Sequence, residues 1–243
     1  MGLPKIDVPT YKTTIPSTQK QITIRPFLVK EEKILLTALA SEDIEQIAEA
    51  TKQIVANCII TQGVDVEKLE IFDLEFLILQ LRIHSVGEKT KIRFLPIQGS
   101  SCKECSKHRD VEIDLREASI EKSPNHTNKI ELTDKIGLIM SYPNAKMLPK
   151  IEVAKTKDDV SEYFKIIWDC VDAVYDENVI TSNKDVSVKE GLDFLESLNS
   201  EQFSKIENFF VTMPKLKQTV KIKCKECDFE QNYVMSGLDN FFG

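Results

Sequence analysis

The tetrapeptide Cys-Lys-Glu-Cys occurs twice in the chain, as Cys102–Cys105 and as Cys224–Cys227. A C-x-x-C turn lets two thiolates converge on one ion while backbone N–H groups of the turn point at the sulfurs. Two such knuckles complete a tetrahedral four-thiolate site. Soft sulfur ligands in that geometry select zinc or iron, and zinc suits a purely structural role. Cys102, Cys105, Cys224 and Cys227 are therefore the expected ligands of a structural Zn2+. The spacing is unusual, because 118 residues lie between Cys105 and Cys224 and an ordinary ribbon has about 15–20. The second knuckle must close over a long insertion. The metal then acts as a clasp between the C-terminus and the middle of the chain, and its binding is linked to folding.

Other chemistry for these residues is weaker. A thioredoxin-like redox pair places C-x-x-C at a helix start after a buried strand, whereas charged, alternating runs precede both motifs here. Cys58 and Cys170 fall on or beside apolar helix faces and read as buried structural thiols. His108, three residues past Cys105, is a possible substitute ligand, but with four cysteines present it reads as a surface residue. The row Lys215, Lys217, Lys221, Lys223 and Lys225 is the candidate nucleic-acid contact. No aromatics interleave with it, and Asp110, Glu112 and Asp114 follow the first knuckle, so cross-strand Lys–carboxylate pairing on a solvated face explains the same pattern. Catalysis has little support. His84, His108 and His126 stand in unrelated contexts, and there is no phosphate-binding Gly-rich loop and no His-Glu-x-x-His. No catalytic residue, no other cofactor and no small-molecule substrate are expected.

The elements that must carry the knuckles follow from periodicity. Residues 1–28 read as an extended arm or hairpin, with proline at 4, 9, 16 and 26. Residues 29–87 read as helical: a first helix over Val29 to Ala40, a second capped by Ser41, and a third from about Asp73 to Val86 stopped by Gly87. The period then changes to two. Lys89, Lys91 and Arg93 alternate with Thr90, Ile92 and Phe94, and a second strand begins at Asp110. Lys129 to Leu132 suggests another strand, and the run through Met140, Pro143 and Pro149 looks irregular. Asp158 to Tyr175 reads as one helix with Phe164, Ile167, Trp168, Val171 and Val174 on its apolar side. Gly191 to Leu198 and Glu201 to Val211 read as a helix pair with Ser200 as N-cap. After Pro214 the alternation returns. The expected fold is thus α+β, with a zinc-ribbon-like β unit (88–116 and 214–243) interrupted by a mainly helical insertion (117–213).

Composition sets the frame. The chain has 243 residues, 42% of them hydrophobic, with 32 basic and 39 acidic side chains for a net charge of -7. That supports a packed core and argues against non-specific nucleic-acid binding. Six cysteines in 243 residues are too few for a disulfide scaffold. No stretch approaches the roughly 20 apolar residues of a membrane span. The N-terminus lacks the apolar core of a secretory signal, and Gly2 is followed by Ile6 where a myristoylation site needs Ser or Thr. These features point to a reducing compartment, with thiols reduced unless metal-bound.

The run Arg25-Pro26-Phe27-Leu28-Val29-Lys30-Glu31-Glu32-Lys33-Ile34-Leu35-Leu36 resembles the signature of the baseplate proteins of T4-like bacteriophages. Ala50-Thr51-Lys52-Gln53-Ile54, Cys58-Ile59-Ile60, Phe72-Asp73-Leu74-Glu75-Phe76, Leu81-Arg82 and Ser85-Val86-Gly87-Glu88 follow at family-like spacing. The resemblance implies a protein needed to build the central hub of the baseplate, as a subunit kept in the virion or as an assembly factor that leaves. It implies hub proteins as partners, action in the host cytoplasm during assembly, and no catalytic residues. Two features read from the chain agree with binding. The proline-punctuated N-terminal segment is able to add a strand to a partner. The apolar tail Leu238, Phe241 and Phe242 is able to dock on a partner or on this chain itself.

Overall fold

The computed structural model describes residues 6–94, 102–105, 107–157, 159–224, 226–227, 229–237 and 241. Its first element is a hairpin, β1 (Tyr11–Thr14) paired antiparallel with β2 (Gln21–Ile24). The turn side chain that fixes it is Ser17, whose N–H and hydroxyl both donate to Asp73, at 2.9 and 2.5 Å. Ile15, Ile22 and Ile24 are buried. Of the two readings of this segment, arm or hairpin, the chain adopts the hairpin and docks it on its own core.

Helix α1 (Val29–Ser41) is followed by α2 (Ile44–Cys58) and α3 (Ile71–Val86). The N-cap of α2 is Asp43, not Ser41. The Asp43 carboxylate accepts from the N–H groups of Glu45 and Gln46, while Ser41 ends α1 and donates its hydroxyl to the Ala38 carbonyl. A carboxylate at that point gains more from the helix dipole than a hydroxyl does. Gly87 stops α3 as expected, at φ +124°, with its N–H on the Ile83 carbonyl. Helix α3 is apolar on more than one side. Leu74, Leu77 and Leu81 pack with the hairpin, while Leu79 and Phe76 pack into a separate core beneath the knuckles.

Next come β3 (Lys89–Phe94), β4 (Arg109–Asp114) and β5 (Ser119–Glu121). The insertion follows: β6 (Lys129–Glu131), β7 (Gly137–Met140), α4 (Leu148–Lys157), α5 (Val160–Asp169), β8 (Val171–Tyr175), β9 (Ile180–Ser182), α6 (Val188–Glu196) and α7 (Ser200–Thr212). Two long partners, β10 (Lys215–Lys223) and β11 (Glu230–Ser236), close the chain. The chain therefore has an α+β fold. Strands β3 and β4 form one antiparallel pair, β11-β10-β5 a three-stranded sheet, and β6-β7-β8-β9 a four-stranded sheet.

The insertion departs from its expected outline. It holds a four-stranded antiparallel sheet as well as its helices, and β5 pairs on β10 rather than joining that sheet. The helix expected to run to Tyr175 ends at Asp169. Asn183 donates its amide to the carbonyls of Trp168 and Val171, at 2.8 and 2.6 Å, and takes over the helix end. Val171 and Ala173 are buried and Asp172 is exposed, the period of a strand. The run around Pro149 is not irregular, because Pro149 lies in the first turn of α4, where no intrahelical N–H is needed. Helix α7 is capped by Asn199, with Gln202 returning the bond, one residue before the expected Ser200. Of the apolar tail, Phe241 is fully buried on the knuckle core, while Leu238 and Phe242 lie outside the described residues.

Candidate metal centre

Both Cys-Lys-Glu-Cys units sit between the arms of antiparallel pairs. Lys89 to Phe94 pair with Arg109 to Asp114, and the first knuckle lies in the connection between them. In the second pair, Lys223 faces Glu230, and the Cys224 N–H closes the turn on the Phe229 carbonyl at 2.8 Å. Period-two burial fixes which way each strand faces. Phe94, Ile113, Leu216, Val220 and Ile222 point inward, and the basic and acidic residues between them point out. The sulfurs of Cys105 and Cys224 are carried into this core and fully buried, Cys102 is half-buried and Cys227 is exposed.

The four sulfurs lie within 4.8 Å of one another, and Cys105 Sγ to Cys227 Sγ is 3.5 Å. Sulfurs at the corners of a tetrahedron with metal–sulfur bonds of about 2.3 Å stand about 3.8 Å apart. None of the four is in a disulfide. The donor set is compatible with a soft tetrahedral cation. The two knuckles also meet electrostatically. Lys107 pairs with Glu104, and Glu226 of the opposite knuckle adds to the field that raises its pKa. Both C-x-x-C units lie in turns between strands rather than at helix starts, which is not the setting of a thioredoxin-like pair.

The other sequence candidates fall away from this centre. Cys58 and Cys170 are fully buried. Burial pushes the Cys58 thiol up to about 11 against the opposing charge of Arg25. His108 is exposed and outside the sulfur cluster. His84 stacks on Tyr11, and His126 bridges the Thr212 and Tyr142 hydroxyls. Asp110 and Glu112 pair across β3–β4 with Arg93 and Lys89, at 2.9 and 3.0 Å. On β10, Lys223 reaches Glu230 at 3.8 Å, Lys217 and Lys221 face Ser236 and Asn232, and Lys225 lies outside the described residues.

Two polar features escaped the sequence reading, one at this centre and one at the hairpin end of the molecule. Gln218 sits in the middle of β10, 3% exposed, and donates its amide to the Asp114 carbonyl at 3.0 Å. It ties the C-terminal hairpin to the end of β4. Its signal was available, since an amide occupies the inward parity shared by Leu216, Val220 and Ile222. Arg25 and Glu31 form a buried bidentate pair, at 2.8 and 3.1 Å, and Glu31 also accepts from the Leu28 N–H at the start of α1. Burial opposes the Glu31 charge, but the bonds from Arg25 and Leu28 outweigh it and hold this carboxyl below its usual range.

A family model described as T4 bacteriophage base plate protein matches residues 8–243. The chain is also similar to the baseplate hub assembly protein gp26 of Enterobacteria phage T4, 23% identical over 232 residues that cover 96% of this chain and 97% of that protein. No solved structure matches significantly.

Proposed function

The chain belongs to the T4 bacteriophage base plate protein family, and on that premise we propose that it builds the baseplate hub through protein–protein contacts. The observation that carries this reading is the similarity to a hub assembly protein along 96% of this chain. The chain acts without catalysis, in the host cytoplasm while tails assemble, on other hub proteins. The test deletes the chain from the infecting phage: the expected result is that incomplete baseplates accumulate and that supplying the chain restores complete ones. Mass spectrometry of purified virions beside infected-cell lysate separates a retained subunit from a departing assembly factor. Normal baseplates in its absence would refute the proposal.

Within this role, Cys102, Cys105, Cys224 and Cys227 hold a structural Zn2+, and residues 88–116 and 214–243 form a ribbon-like unit closed by it. The convergence of the four sulfurs supports this assignment. The ion supplies a cross-link between two turns that are 118 residues apart in the chain and supplies no reaction chemistry. The thiols must shed their protons to bind it as thiolates, so occupancy falls in acid.

The lysine row of β10 favours one rival, a zinc-ribbon regulator that binds nucleic acid through the Lys215 to Lys225 face, on which Lys221 and Lys223 are exposed. It predicts a salt-dependent DNA or RNA shift abolished by Lys217→Glu with Lys221→Glu. The hub reading predicts no such shift and normal baseplate assembly by that variant.

A further inference from the structure

A groove of about 640 Å3 opens where α3, the α4–α5 pair, the end of α7 and the start of β10 come together. Its wall is apolar, with Ile71, Phe72, Ile166, Ile167, Phe210 and Pro214 contributing. On its rim Val160 is 69% and Tyr163 41% exposed. Apolar side chains so placed are costly to leave in water and mark a surface that something covers.

One charged group in this groove is left over. Lys215 is the only cation among the described lining residues and is half-buried; it stands opposite the exposed Glu121 of β5, but its ammonium makes no hydrogen bond or ion pair with any described residue. Its neighbour Lys217 repels it, and only the field of Glu75 favours its charge. The two acids of the lining are engaged elsewhere. Asp159 accepts from the Glu162 N–H at the start of α5, and Glu75 has interactions of its own. A partly desolvated ammonium beside an apolar wall gains most from a carboxylate delivered together with apolar surface.

We propose that this groove receives an amphipathic segment of a partner protein, which inserts apolar side chains between Tyr163 and Phe210 and sets one carboxylate on Lys215. The inference rests on the hub-assembly reading and names the surface that reading needs. A helix or extended segment laid in an apolar groove takes its affinity from the buried anchors and its register from the single ion pair.

The test places a photoreactive amino acid at Val160 in infected cells, with a second at Val179, which is exposed but outside the groove. The expected result is a Val160 cross-link to one peptide of another phage tail protein, with an Asp or Glu among apolar residues. Lys215→Glu lowers its yield at least tenfold, and changing the peptide's acid to Lys restores it. Val160→Arg, at a rim position outside the core, blocks the cross-link from Tyr163 and covers the case in which Lys215→Glu does not fold. Cross-links to a second copy of this chain, equal yields at Val160 and Val179, or yields indifferent to both substitutions overturn the groove assignment. If they do so while the chain remains necessary for baseplates, the hub reading stands and the groove alone fails. Normal baseplates without the chain sink both.

Discussion

Glu70 carries the clearest pH dependence. It is partly buried at the start of α3, where the Pro143 carbonyl accepts from the Ile71 N–H and Leu69 pairs with Ala145. Burial, with the charges of Asp73 and Asp172, raises its carboxyl to about 7. The folded chain thus holds this proton more tightly than the unfolded chain. The stabilisation is complete below the ordinary carboxylate range and is lost as pH rises through about 7. Glu70→Gln removes that loss. In urea titrations the variant exceeds the parent by on the order of 2 kcal/mol at pH 8, after allowance for partial exposure, and the gap narrows towards pH 5. The Arg25–Glu31 pair gives the opposite kind of site. Glu31→Ala leaves a largely buried guanidinium without its carboxylate, though still bonded to the Pro26 and Asn57 carbonyls, and costs about 2 kcal/mol, measured by the same titration, with α1 the first helix to lose amide protection.

At the scale of elements, the knuckles depend on hairpins that are readable and on packing that is not. The alternations from Lys89 and from Lys215 mark β3 and β10 directly, because one face of each strand is buried and the other wet. Val171 to Tyr175 misled for a physical reason. Val171 and Val174 continue the helical stripe of Phe164, Ile167 and Trp168, and groups remote in sequence, Asn183 and Ser141, end the helix. Caps misled in the same way at Ser41 and Ser200, where a neighbouring Asp or Asn has the better-placed acceptor. Close approach between elements is also invisible in a linear pattern. A Cβ at Gly191 on α6 would overlap the indole of Trp168, so Gly191→Ala forces the helix off α5. We expect a loss of about 2 kcal/mol, read as a lower melting temperature with the knuckle hairpins intact. Gln218→Ala unties β10 from β4 and costs about 1 kcal/mol. Its effect is faster amide exchange in β10 and β11.

For the molecule as a whole, the described residues of the 243-residue chain gather in three cores, two of which share α3. The hairpin core and the knuckle core share α3, and the insertion core is built on Trp168, Leu138 and Phe209. The convergence of the four sulfurs was legible because each C-x-x-C turn follows an alternating strand and brings two thiols to one side. The groove beside Lys215 was not, because its walls come from residues 71 to 237 and meet only in the fold. One metal ion is proposed to join two turns distant in sequence. Metal analysis of the purified chain by mass spectrometry, beside Cys224→Ser, tests it most directly. One zinc per chain is expected in the parent and almost none in the variant, with loss of protection in β10 and β11 when the parent is chelated. A parent without bound metal, whose C-terminal hairpin is equally protected in Cys224→Ser, would contradict it.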